Sequence, residues 1–137
     1  MRTKLLRLSI AFLLPATLVI SGCSNSESSA LSLTDSCAQL EGISSQLAEG
    51  IGLAQDDPTN AKSHLDVSRD ALKKMVAISS ADDSFNSATA DYSDKLGAFL
   101  DALESAISSG GGLNDASVTP SRDAARTAGE TLDSVCK

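Results

Sequence analysis

Four stretches of this chain place apolar residues at steps of three and four, the spacing of a single helical face. Leu33, Cys37, Leu40, Ile43, Leu47, Ile51 and Ala54 predict a helix over about 33–54. Ala61, Leu65, Leu72, Met75, Val76 and Ser79, widened by Val67, Ala71 and Ile78, predict a second from Pro58 to about Ser79. Phe85, Ala88, Tyr92, Leu96, Phe99, Leu103 and Ile107 mark a third, running to about Ser108. Val118, Ala125, Ala128, Leu132, Val135 and Cys136 mark a fourth that reaches the C-terminus. After residue 22 the only aromatics are Phe85, Tyr92 and Phe99, all on the third stripe. Ala, Leu, Ile and Val must therefore build the interior, which suits packed helices better than a sheet sandwich. No internal repeat suggests a solenoid.

The punctuation between the stripes agrees with this division. Ser32 or Thr34 can cap the first helix. Asp57-Pro58 and Thr119-Pro120 each read as a cap followed by a first-turn proline. Ser80-Ala81-Asp82-Asp83 reads as a capping-box variant with Asp83 in place of Glu. Gly110-Gly111-Gly112 ends the third helix. Gly42, Gly50 and Gly52 weaken the first helix, at about 1 kcal/mol each relative to Ala. Gly97 and Gly129, beside the stripes of the third and fourth helices, read as places where two backbones approach, in preference to room for a ligand. Asp66/Arg69, Asp70/Lys73 and Asp70/Lys74 are opposite-charge pairs at helical spacing on the wet side of the second helix.

The N-terminus has a different character. Met1 to Arg7 carries Arg2, Lys4 and Arg7 and no acid. Leu8 to Ile20 is an apolar run of about 13 residues, too short for a spanning helix, which needs roughly 20. It ends in Leu18-Val19-Ile20-Ser21-Gly22-Cys23. This resembles the lipobox of bacterial lipoproteins, with Ile20 where leucine is commonest in that family. The resemblance covers residues 1–23 only. It implies cleavage between Gly22 and Cys23, and diacylglycerol on the Cys23 thiol. It also implies a mature chain anchored to the bacterial cell membrane or outer membrane, facing the extracytoplasmic side. Ser24 lacks the retention Asp of some enterobacterial lipoproteins, which favours the outer membrane where there is one. Two or more acyl chains make such anchoring stable. Ser24 to Ala30 has no hydrophobic pattern and reads as a tether with a reach of at most about 25 Å. The expected division is 1–22 cleaved signal peptide, 23–31 lipidated cysteine and tether, and 32–137 helical domain.

With Cys23 committed to lipid by that resemblance, Cys37 and Cys136 remain as an even pair in an exported chain, where disulfides persist. One lies a turn into the first helix and the other in the last turn of the fourth. In an up-and-down four-helix bundle these ends are neighbours. With three helices they would stand roughly 30 Å apart, beyond the reach of a bridge. The expected fold is therefore all-α, a four-helix up-and-down bundle closed by one disulfide. Two free buried thiols are the alternative.

Charge and motif content narrow the functions. The first 22 residues hold three of the eleven basic residues and none of the eighteen acidic ones. An acidic domain of this kind does not suit nucleic acid, whose phosphates need basic patches, nor lying flat on an anionic bilayer. His64 is the only histidine. It has no partner histidine at i+3 or i+4, so it reads as a structural residue in preference to a haem or metal ligand with Tyr92 or Met75. The acids Asp56/Asp57, Asp82/Asp83 and Asp91/Asp94/Asp101 match no calcium loop. No nucleophile–base arrangement is legible, and the glycine run follows a helix, unlike a phosphate-binding loop. No cofactor, metal or enzymatic activity is expected.

The chain thus reads as a non-enzymatic binding or interaction module. A carrier of a small apolar ligand, haem or lipid, is the first alternative, and an envelope enzyme or enzyme inhibitor the second. The 108–119 connection is long for a compact domain. It joins Gly-rich mobility to the apolar residues Leu113 and Val118. With Asp56, Asp57 and Asp115 it would form an acidic end, away from the membrane, for a protein partner with a basic surface.

Overall fold

The computed structural model describes residues 29–137. The expected cleavage and lipidation site, Gly22 and Cys23, lies outside the described residues. Four α-helices form a helical bundle: α1 (Leu33–Asp56), α2 (Ala61–Val76), α3 (Asp83–Ser108) and α4 (Thr119–Val135). Cys37 and Cys136 are joined in a disulfide, with Cα atoms 5.8 Å apart. Among the described residues there is no strand, only one isolated bridge between Leu31 and Ser80.

Ser32 is the residue that caps α1, its Oγ accepting from the backbone N–H of Asp35. The other starts differ from the sequence reading. Pro58 opens a 3-10 turn, Pro58–Asn60, before α2, and Asp57 caps nothing with its side chain. Asp82, not Ser80, caps α3, accepting from Phe85 N at 2.9 Å. Ser80 instead has its N–H and C=O clamped by the amide of Asn86, at 3.1 and 2.9 Å. Thr119 is already helical, and its hydroxyl donates back to the Asp115 carbonyl. The turn at 115–118 delivers the chain to α4 in a helical conformation, so no cap is needed.

Helix α2 stops at Val76, not Ser79, because the next residues find other backbone partners. Ser79 O accepts from Leu31 N, and Ala81 N donates to Leu31 O, both at 2.8 Å. Leu31 was expected in the tether; these two bonds make it part of the folded unit. The glycine run ends α3 as expected. Gly110 takes φ +83°, Gly110 N donates to Ile107 O, and Gly111 N donates to Ala106 O. That pair of bonds is the Schellman arrangement, which satisfies the last carbonyls of the helix.

Helix α1 packs on α2, α2 on α3, and α3 on α4. The larger core cluster gathers Leu47, Leu65, Met75, Phe99, Leu100 and Leu103, with Val118 from the connection. A second cluster, Ile78, Phe85, Ala88 and Leu132, sits beside Leu33 and the disulfide. Val67 and Val76, placed on the inner face of α2 by their spacing, are 46% and 56% exposed. Ser68 is buried there instead, because α1 comes so close that only a small residue fits. Its hydroxyl donates to Leu47 O at 2.8 Å. Opposite stands Gly50, where an added Cβ would lie 2.3 Å from Ser68 Oγ and 2.7 Å from His64 O.

Arg69 also departs from the wet-side reading. Beyond Asp66 on its own helix, it reaches Asp101 at 2.9 Å and Glu104 at 2.7 Å on α3, tying α2 to α3. Lys73 pairs with Asp70 as expected, whereas Lys74 donates to Gln46 of α1.

Candidate functional site

The stripe of α1 is only partly covered. Leu47 and Ala54 are buried, but Leu40, Ile43 and Ile51 are half-buried. The uncovered side of α1 faces α4 across a cleft whose floor is α3. Its outer part holds about 630 Å³. Leu47, Ile51 and Gly52 form one wall, Arg122, Arg126 and Gly129 the other, and Tyr92, Leu96 and Phe99 the floor. A second hollow of about 550 Å³ continues it towards the disulfide, between Leu40 and Glu41 of α1 and Leu132 and Asp133 of α4. The two hollows meet at Tyr92 and Gly129.

Gly129 admits Tyr92: a Cβ there would stand 3.2 Å from the ring. What approaches at Gly129 is therefore a side chain, not a second backbone. At Gly97 a Cβ would meet only Leu72, at an ordinary 3.9 Å, so no close approach occurs there either. Burial alone pushes the Tyr92 phenol above its ordinary pKa of 10.0. The sign follows: a phenol raised in the folded state stabilises the fold below pH 10, and that contribution is lost as pH rises through the folded value. Ultraviolet titration of this single tyrosine should give a midpoint above that of the urea-unfolded chain. Coincident midpoints would contradict the placement.

The other expected site residues lie as follows. Val118 is fully buried in the larger cluster, and Leu113 packs against it half-buried. Val118 thus belongs to the core, and Leu113 is shared between the core and the surface. The connection itself is tied down. Asp115 Oδ1 accepts from the hydroxyl and the N–H of Ser117, at 2.6 and 2.9 Å, and Arg122 donates to Leu113 O at 3.1 Å. The Ser117 hydroxyl holds the Asp115 carboxyl below its ordinary range. Asp57 is likewise held low, first by the amide of Asn60 at 2.8 Å and then by His64, whose Nε2 lies 3.5 Å away. Asp56 is exposed. Asp57 and Asp115 are thus each engaged by neighbours close in sequence.

Among the described residues, no group of three or more His, Cys, Asp or Glu side chains could hold a metal ion. No helix there is long and apolar enough to cross a membrane. No family model, curated protein or solved structure compared with the chain matches it.

The cleft was the part of the site that sequence reasoning missed. Its one signal was Gly129, read as a helix contact when the alternative was room for a ligand.

Proposed function

We propose that the chain is a lipid-anchored, non-enzymatic binding module of the bacterial envelope, and that the cleft between α1 and α4 is its binding surface. The lipobox-like run Leu18–Cys23 supports the anchor. The helices are read as an up-and-down bundle. Supporting contacts are Leu47 with Ser68, Arg69 with Asp101, and Tyr92 with Gly129, together with Cys37 bonded to Cys136. In that arrangement the tether leaves beside the disulfide and the outer cleft opens away from the membrane.

The observation that carries the binding role is the cleft. An apolar floor of Leu96 and Phe99 lies under the half-open α1 stripe, in a volume of the size that holds small molecules. This favours the carrier reading, a small ligand with an apolar body, over a protein partner at the acidic connections.

Two measurements test the reading separately. Cys23→Ala should leave the precursor uncleaved and unlabelled by fatty acid; labelling that survives would refute the anchor. Nile red, a neutral apolar dye, should gain fluorescence on the parent protein and lose that gain in Gly52→Leu. Gly52 lines the cleft and an added Cβ there meets no neighbouring atom within 4 Å, so a leucine has room to start into the cleft, and circular dichroism of the variant checks that the fold is kept. Dye binding that is indifferent to Gly52→Leu would remove the cleft as the binding surface.

A further inference from the structure

We infer that the cleft takes a free single-chain amphiphile with an anionic head, an acyl carboxylate, with the head at Arg122 and Arg126 and the tail along Leu96 and Tyr92 towards the disulfide. The inference rests on the cleft being the binding surface and adds the class of ligand.

The charge distribution along the cleft carries it. Arg122 and Arg126 are one turn apart on α4 and are the only charged residues lining the outer part. The nearest carboxylates, Asp123 and Glu130, stand at 3.7 and 4.0 Å, beyond hydrogen-bonding distance. Arg69, by contrast, has three carboxylates between 2.7 and 3.3 Å. Two guanidiniums with donors to spare therefore stand beside an apolar floor in a strongly acidic domain. A carboxylate matches their fork geometry. The inner end is closed to an anion by Glu41 and Asp133, and Asp133 already has Lys137 as its cation. Head and tail are thus assigned one direction. From Arg126 to Cys136 the helix advances about 15 Å, a length that an extended dodecyl chain matches. A second copy of the chain would bring concave against concave and leave the floor unfilled.

The test uses the mature chain, residues 23–137, with Cys23→Ser so that it carries no acyl group. Circular dichroism and the absence of free thiols confirm the fold. Tyr92 is the only tyrosine and there is no tryptophan, so tyrosine emission reports the cleft alone. Dodecanoate below its micellar concentration should change that emission saturably, one molecule per chain. Affinity should rise about two- to fourfold per methylene from decanoate upward. Dodecyltrimethylammonium should bind at least tenfold more weakly, and Arg122→Gln with Arg126→Gln should cost dodecanoate at least tenfold. No saturable dodecanoate signal, equal binding of the two amphiphiles, or indifference to the arginine substitutions would each overturn the inference. Nile red binding lost in Gly52→Leu would leave the cleft itself standing in all three cases. Arginine-dependent retention on phosphatidylglycerol vesicles would overturn it in favour of a bilayer headgroup. A Tyr92 signal that changes with protein concentration alone would do so in favour of a second copy.

Discussion

Reduction of the Cys37–Cys136 bond is expected to cost the fold about 4 kcal/mol and to lower its melting temperature by roughly 15–25 °C. The bond closes a loop with a sequence separation of 99 residues. On the chain-entropy account, the oxidised unfolded chain is restricted in proportion to the logarithm of that loop, and reduction frees it. In the folded protein α1 and α4 touch little outside the bond, because the cleft lies between them. Helix α1 leans on α2 through Gly50 and Ser68, and α4 on α3 through Gly129 and Tyr92. Leu132 and the bridge itself close the gap at one end. The reduced chain should also show a larger urea dependence of unfolding, since its denatured state exposes more surface. Thermal melts with and without reductant, repeated on Cys37→Ala with Cys136→Ala, measure both. A melting temperature within about 5 °C of the oxidised protein would show that the helices close the bundle without the bond.

Much of the fold could be read from the residues, for a physical reason. Four stripes at helical spacing each need a partner face, and the four helices found lie on those four stripes. The cysteine pair, at the first turn of one stripe and the last turn of another, was legible because a bridge demands proximity. Less legible were the boundaries, which depend on partners distant in sequence. Leu31 takes the backbone of 79–81 out of α2, and Asn86 occupies Ser80, so Asp82 becomes the cap. Nothing in the local pattern announces either bond.

The cleft was hidden for a related reason. A stripe says which face of α1 is apolar, not how much of that face a neighbour covers. Leu40, Ile43 and Ile51 have the same spacing as Leu47, yet only Leu47 is buried with α2 and α3 around it. In the same way, Leu113 and Val118 looked like apolar residues in an open loop. The turn around Asp115 folds them inward. Arg69 looked solvated because its partners Asp101 and Glu104 lie on another helix.

Glycine gives the sharpest contrast between pattern and packing, and the second large effect. Gly42, Gly50 and Gly52 look alike in the sequence, three helix-weakening residues in α1. In the fold they differ. A Cβ at Gly42 or Gly52 meets no neighbouring atom within 4 Å, whereas one at Gly50 would run into Ser68 Oγ and the backbone oxygen of His64. Gly42→Ala and Gly52→Ala should therefore stabilise the protein by up to about 1 kcal/mol, the helix-propensity difference. Gly50→Ala gains the same propensity but must push α1 from α2. It also strains or breaks the Ser68 hydrogen bond to Leu47 O. Overpacking of this kind costs about 1–3 kcal/mol and a buried hydrogen bond about 1 more, so after the propensity gain of about 1 the net expectation is a loss of about 1–3 kcal/mol. Gly50→Leu should leave no cooperative transition, since no rotamer clears a backbone atom. Adding Ser68→Gly to Gly50→Ala removes the 2.3 Å contact but not the 2.7 Å one, so it should restore only part of the loss. Urea unfolding of the set decides the matter: if Gly50→Ala is as stable as Gly42→Ala, the two helices do not meet at Gly50 and Ser68.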